Sequence, residues 1–106
     1  MIDAFTEAMF AENLNTTFYV RDASNQIELK LVETTSISTM PHNIQFSIVF
    51  QGPPETILQQ KIYKLDHERL GELDLFLVPI AKNDAGFQYE AVFNQVAEVP
   101  GEGTQG

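Results

Sequence analysis

The sequence contains no cysteine, which excludes disulfide bonds, thiolate nucleophiles and thiolate metal ligands. Its two histidines are too few for a convincing metal site built on imidazole ligands. No apolar run approaches the roughly 18 residues of a membrane-spanning helix, and the N-terminal stretch is acidic where a signal peptide would be basic. We therefore expect a soluble, cytoplasmic protein without metal or cofactor, which an exported assembly could still incorporate.

Positive charge is also scarce, because six Lys and Arg stand against fifteen Asp and Glu, for a formal net charge of −9. A chain with this charge repels phosphate backbones and anionic lipid headgroups at neutral pH. Its few cations are spread along the sequence and form no basic stripe. Nucleic acid and membrane are thus disfavoured as partners. A protein partner is expected, and a homo-oligomer is compatible with the composition.

The chain does have enough apolar side chains for one core. Its 106 residues are 43% hydrophobic and include eight Phe and three Tyr, which is normal to rich for a single globular domain. The end of the chain, "VPGEGTQG", is rich in glycine and nearly free of apolar residues. We expect a single β-rich domain over residues 1–96 and a flexible tail over residues 97–106.

The first segment has the apolar spacing of a short helix that ends near Asn13. Asp3 is suited to its N-cap. Three apolar residues share one helical face: Phe5, Ala8 and Met9. Phe10 and Leu14 point away from this face, so we assign them to the turn into the first strand.

From residue 16 onward the apolar period changes to two, which is typical of half-buried strands. Six segments carry this pattern: 16–22, 26–33, 43–52, 61–67, 72–80 and 87–94. In the third segment Ser47 is expected on the solvent side. Short turns between successive strands predict antiparallel neighbours in meander order. The fold class expected is mainly β, a single small antiparallel barrel or strongly curved sheet of about six strands with one short N-terminal helix.

The segment 72–80 differs from the others because both of its faces are apolar. One face carries Leu73, Leu75 and Leu77. The other carries Phe76, Val78 and Ile80. A strand covered on both sides has this composition. We therefore expect the N-terminal helix to pack on this strand.

The stretch "HERLG" begins like the helix of a zinc protease, in which a second histidine follows the first by four residues. Here that position is Gly71, which has no ligating side chain and disfavours a helix. The alternation on both flanks predicts a turn between two strands instead. His67 is then expected to be a buried, hydrogen-bonded residue that closes the turn. A triad of Ser47, His67 and Asp66 or Asp84 can be drawn, but no nucleophile-elbow sequence surrounds the serine.

Three stretches resemble an uncharacterised family of small bacterial β-domains: "FSIVFQGP", "YKLDHERLGELDLFLVP" and "YEAVFN". The matching positions are Gly52, Pro53, Gln60, Tyr63, His67, Gly71, Phe76, Pro79, Tyr89, Glu90, Phe93 and Asn94. Gln59 and Lys61 depart from the proline and glycine that the family favours there. The resemblance implies a fold unit with no activity assigned to it, associated with genes of phage tail-collar or tail-fibre type.

With no catalytic constellation, the function predicted is a non-catalytic interaction or structural module, an accessory subunit of a larger bacterial, phage-tail-like assembly. A small-ligand-binding barrel is the alternative, and it would need a roomy interior pocket. A hydrolase using His67 with an acidic neighbour is a third. The candidate interaction residues are Ile57, Leu58, Glu90, Asn94 and His67. For Ile57 and Leu58, two roles remain open: they plug the barrel end or contact a partner.

Overall fold

The computed structural model describes residues 6–21, 26–40 and 43–95. Their elements are, in chain order, α1 (Glu7–Ala11), β1 (Thr17–Val20), β2 (Ile27–Met40), β3 (Asn43–Gln51), β4 (Lys61–His67), β5 (Gly71–Asn83) and β6 (Gly86–Gln95). In this part of the chain no helix is both long and apolar enough to span a bilayer. The expected tail over residues 97–106 lies outside the described residues, as do Asp3 and Phe5.

The six strands pair antiparallel and close into a barrel in the order β1-β2-β3-β6-β5-β4. This confirms the predicted fold class of a small antiparallel β-barrel with one short helix. The meander order is wrong at one connection, because β6, not β4, lies beside β3. Residues 52–60 carry the chain from β3 to β4 on the opposite wall. Pro53 and Pro54, which cannot donate to a ladder, prevent a tight hairpin after β3.

Inward-facing residues of all six strands fill the barrel with apolar side chains. Phe10 of α1 joins them, and the largest fully buried side chains are Tyr89, Phe10, Phe18, Phe46, Phe50, Leu29, Leu31, Ile48, Leu65, Leu77 and Val20. Each such Leu or Phe contributes about 1.5 to 3 kcal/mol by leaving water. Ser47 is only 6% exposed, although it was expected on the solvent side. Its small side chain lies between those of its larger strand partners, Thr35 and Val92.

The helix differs from its expected form in the face that it buries. Its N-cap is Thr6, whose hydroxyl accepts a hydrogen bond from the Met9 backbone N–H at 3.2 Å. Ala8 is exposed and Phe10 is fully buried, so the expected apolar face is wrong. The Phe10 ring lies 5.2 Å from the ring of Phe93 and 6.1 Å from that of Phe46. Packing of the single aromatic residue Phe10 therefore holds this short helix against the barrel, without an apolar stripe along the helix.

The helix does not cover β5, which corrects a second expectation. It contacts β2 and β3, next to the part of β2 that extends beyond its pairing with β1. The second apolar face of β5 consequently remains open to solvent: Phe76 is 48% exposed and Ile80 47% exposed. Val78 is half-buried. An apolar face that the chain leaves exposed is a candidate for contact with another molecule.

Candidate functional site

His67 ends β4 and connects three parts of the chain by hydrogen bonds. Its Nδ1 accepts the backbone N–H groups of Arg69 and Leu70 at 3.0 and 3.1 Å. Its Nε2 lies 2.8 Å from the hydroxyl of Thr16, which in turn donates to the carbonyl of Asn13 at 2.6 Å. The ring is 5% exposed. The predicted turn is confirmed, and so is the buried, hydrogen-bonded histidine that closes it.

The hydrogen bonds also fix the protonation state of His67. Since Nδ1 accepts two N–H groups, the single proton of a neutral ring resides on Nε2 and is donated to Thr16. Desolvation by burial lowers the pKa of His67 below its ordinary value of 6.5. The nearby carboxylate of Glu68 opposes this shift and the guanidinium of Arg69 adds to it. A second proton on Nδ1 would face two donors, so protonation breaks the turn's own hydrogen bonds.

We therefore expect stability to decrease in mild acid. The unfolded state takes up a proton near pH 6.5 and the folded state only at lower pH, so the stabilisation is present above the unfolded pKa and is lost as pH falls. The slope is at most about 1.4 kcal/mol per pH unit, the limit for one proton. Urea unfolding between pH 7.5 and 5.5 measures it. His67→Gln should flatten the profile, and a profile as steep as that of the unaltered protein would contradict this role.

The same hydrogen bonds weigh against catalysis at His67. Both ring nitrogens are occupied by protein groups, so neither is available to take a proton from a substrate. Asp66 is paired with Arg21 at 3.0 Å instead of orienting the imidazole. Within residues 6–21, 26–40 and 43–95, no group of three or more acidic or histidine side chains could hold a metal ion. The shallow depression beside His67 has a volume of only about 180 Å³.

A larger depression of about 700 Å³ lies between the start of β2 and residues 51–56. It is an open groove whose polar lining includes Glu28, Lys30 and Glu55. The barrel interior itself is occupied by the apolar core. Ligand pockets usually enclose most of the ligand. An open groove beside a filled barrel therefore gives little support to the small-ligand alternative.

Residues 52–60 cap one end of the barrel. Within this segment Ile57 and Leu58 differ in how far their side chains are exposed to solvent. Leu58 is 6% exposed and belongs to the core, and its backbone N–H donates to the Tyr89 hydroxyl at 2.8 Å. Burial raises the pKa of Tyr89, although this hydrogen bond acts in the opposite direction. Ile57 is 52% exposed. Leu58 is thus the plug, whereas Ile57 is free to contact another molecule.

The other candidate residues lie apart from this cap. Glu90 is half-buried on the outer face of β6, between its strand partners Val49 and Val78. Asn94 is exposed further along the same face. His67 ends β4, at the opposite end of that strand from Ile57. The structure therefore brings only Glu90 and Asn94 to one surface, and their role in an interaction stays a prediction.

The sequence interpretation missed an exposed apolar surface on the outside of β4 and β5. Ile62 is 63% exposed and stands directly opposite Phe76 across the two strands. Together with Ile80 these residues form what we call the outer β4–β5 patch. The signal was present in "KIYKLDH", where Ile62 shares the strand face of Lys64 and Asp66 and not that of Tyr63. An isoleucine on an otherwise charged face indicates a surface residue.

Charged pairs flank the outer β4–β5 patch on one side. Lys64 contacts Asp74 at 3.3 Å, one row along the two strands. In the following row Arg21 bridges Asp66 and Glu72, at 3.0 and 2.7 Å. Protein interfaces commonly have an apolar centre beside a polar rim. The patch and its neighbouring ion pairs have this arrangement.

In comparison with protein families, residues 5–93 match a model described as Domain of unknown function (DUF6916). The chain belongs to this family. The match confirms an uncharacterised domain family and includes α1 and nearly all of the DUF6916 barrel, well beyond the stretches that carried the resemblance. Comparison with curated proteins and with solved structures found no match.

Proposed function

We propose that this protein is a non-catalytic interaction module, an accessory subunit that binds another protein of a larger assembly through the outer β4–β5 patch. The observation that carries the proposal is the exposed cross-strand pair of Ile62 and Phe76, 63% and 48% exposed. That the assembly is bacterial and phage-tail-like rests on the sequence resemblance alone.

Single exposed apolar residues are common on soluble proteins and need no explanation. A bulky aliphatic residue opposite an aromatic one is different, because the two side chains adjoin and present one continuous apolar surface. Aromatic side chains are also enriched among the residues that dominate binding energy at interfaces. Phe76 is therefore the expected anchor, with Ile62 beside it.

Two observations favour this function over the alternatives. Apolar side chains fill the interior of the barrel, which weighs against a ligand-binding barrel. The engaged ring nitrogens of His67 weigh against a hydrolase that uses this residue. The exposed apolar side chains of the outer β4–β5 patch lie instead on the outer surface, where another protein can contact them.

The proposal predicts that Phe76→Thr abolishes partner capture and leaves the fold intact. Threonine is β-branched and favours strands, and Phe76 is 48% exposed, so the melting temperature should change little. Loss of an aromatic anchor typically costs 2 kcal/mol or more of binding energy, roughly a 30-fold weaker complex. The measurement is quantitative affinity capture from the native source, with thermal melting of each variant.

Ile57→Thr is the matched comparison, since Ile57 is 52% exposed and lies on the capping segment. Capture of the same partner by this variant and its loss by Phe76→Thr would support a contact at the patch. Loss with Ile57→Thr alone would move the contact to the capped end and contradict the proposal. Equal capture by both variants would also refute it.

A further inference from the structure

The open groove beside β2 lies where β3 stops pairing with that strand. The last pair that the two strands form is Gln51 opposite Lys30. Gly52 then turns toward β6, because its backbone N–H donates to the carbonyl of Phe87 at 2.7 Å. In the described part of the chain, no strand pairs with residues 26–29 on the β3 side of β2. The start of β2 is therefore an open strand edge that faces the groove.

The hydrogen bonds of β2 show which backbone groups point into the groove. Leu31 bonds on the β1 side, since its N–H donates to the Thr16 carbonyl at 3.1 Å and its carbonyl accepts the Asn15 N–H at 2.6 Å. Successive residues of a strand direct their backbone groups to opposite sides. The register of β1 with β2 is regular, so this alternation continues along the start of β2. Glu28 therefore directs its N–H and C=O away from β1 and toward the groove.

The opposite wall of the groove is fixed away from β2. Pro53 occupies the position at which a continued β3 would meet Glu28, and it has no N–H to donate. Residues 52–54 pack so closely against Gly86 that a Cβ there would overlap their backbone. Both walls of the groove are thus in place before anything binds. A preformed site loses less conformational entropy when an occupant enters.

We propose that this site, which we call the β2 groove and define by residues 26–30 and 51–56, binds an extended segment of another protein that carries Lys or Arg. The segment adds to the edge of β2 as a strand, and its backbone bonds to the N–H and C=O of Glu28. A strand rises about 3.3 Å per residue, so a segment of about five residues spans this edge. The site is independent of the outer β4–β5 patch, since it uses different residues.

Charge indicates which segment the β2 groove favours. Its charged lining consists of the exposed carboxylates of Glu28 and Glu55 against the ammonium of Lys30. Among the residues that the structure describes, neither carboxylate takes part in an ion pair. The net charge of −9 adds a long-range attraction for cations. A segment that carries Lys or Arg is therefore the expected occupant.

The same charges disfavour the chain's own segments as occupants. The segments outside the described residues, which are 1–5, 22–25, 41–42 and 96–106, contain no Lys or Arg. All but the 41–42 segment contain Asp or Glu. A second copy of the chain would bring a further net charge of −9. Another protein therefore fits the β2 groove better than this chain does.

Hydrogen exchange of the free chain tests the open edge without a partner. The amide of Glu28 should exchange about tenfold or more faster than those of Ile27 and Leu29, which point toward β1. Equal protection of the three amides would mean that the chain itself covers the edge, and this result would overturn the inference.

The binding test is selection of phage-displayed random peptides on the full chain. Enriched peptides should carry Lys or Arg and should shift the NMR signals of residues 26–30 and 51–56. In the complex the amide of Glu28 should become as protected as its neighbours. Phe76→Thr should bind the same peptides unchanged, which separates this result from partner capture at the outer β4–β5 patch. Enrichment of no peptide, or shifts confined to other residues, would refute the proposal.

Two pairs of variants separate the backbone contact from the charge contact. Glu28→Ala and Glu28→Pro both remove the carboxylate, but only proline removes the N–H, so it should bind a selected peptide about fivefold more weakly than alanine. Glu28→Gln should weaken binding, whereas Glu33→Gln removes the same charge from β2 outside the groove and should not. Thermal melting checks the fold of each variant. Equal affinities within either pair would contradict the proposed site.

Discussion

Replacing Gly86 with alanine should destabilise the protein severely, by more than about 4 kcal/mol. A Cβ atom here would overlap the carbonyl oxygen of Gly52 and would lie 2.7 Å from the Pro53 carbonyl carbon and 2.8 Å from the Pro54 nitrogen. All three are backbone atoms, which cannot rotate away as a side chain can. The residue also has a φ of +137°, a conformation that alanine rarely adopts. Urea unfolding of the purified variant measures the loss.

Gly71→Ala is the matched control, because it separates backbone strain from steric overlap. Gly71 has a φ of +78°, yet no atom lies within 4 Å of the position that its Cβ would take. Its replacement should therefore cost only the conformational penalty of about 1 to 2 kcal/mol. Equal losses for the two variants would mean that residues 52–54 do not approach Gly86 as closely as the structure places them.

Leu58→Ser should cost about 2 to 5 kcal/mol of unfolding free energy. Leu58 is 6% exposed, so the change leaves a cavity in the core and buries a hydroxyl. Its backbone N–H donates to the Tyr89 hydroxyl, so a disturbed cap also endangers that hydrogen bond. The measurement is urea unfolding followed by circular dichroism.

Ile57→Ser, one residue away, should change the unfolding free energy by less than about 0.5 kcal/mol, since its side chain is 52% exposed. The two single variants thus distinguish the role of Leu58 from that of Ile57. The sequence alone did not distinguish these two neighbouring residues. If Ile57→Ser lowered the unfolding free energy and Leu58→Ser did not, the capping segment would bury Ile57 and expose Leu58, which would contradict the structure.

The strands were predictable because alternation of apolar and polar residues depends only on one face being buried. Tyr63, Leu65 and His67 were expected on one face of β4, and all three are buried. The turn after His67 was predictable for the same reason, because alternation on both sides of "HERLG" excludes a helix. Such local patterns need no knowledge of which strands become neighbours.

Features that depend on distant parts of the chain were not predictable in this way. The second face of β5 was predicted to be covered by the helix because it is apolar. The sequence pattern shows that a face is apolar, but it does not show whether another element packs against that face. Which strands pair with β3 likewise depends on the path of residues 52–60 across the barrel, which the local pattern does not give. Ile57 and Leu58 could not be distinguished, since their segment has no period.

The exposed apolar surface was missed for a related reason. Ile62 and Phe76 become a pair only through the register of β4 with β5, which neither strand's own sequence contains. Phe10 was misassigned because the helix has only five residues, too few for a periodic stripe to identify its buried face. In both cases a tertiary contact determined the outcome.

The most direct test of a contact at the outer β4–β5 patch is site-specific photo-crosslinking in cells of the native source. A photoreactive phenylalanine analogue replaces Phe76 in one variant and Ile57 in another, at exposures of 48% and 52%. A discrete adduct with another protein from position 76, and none from position 57, is the predicted result. No adduct from position 76, or the same adduct from both positions, would contradict the proposed function.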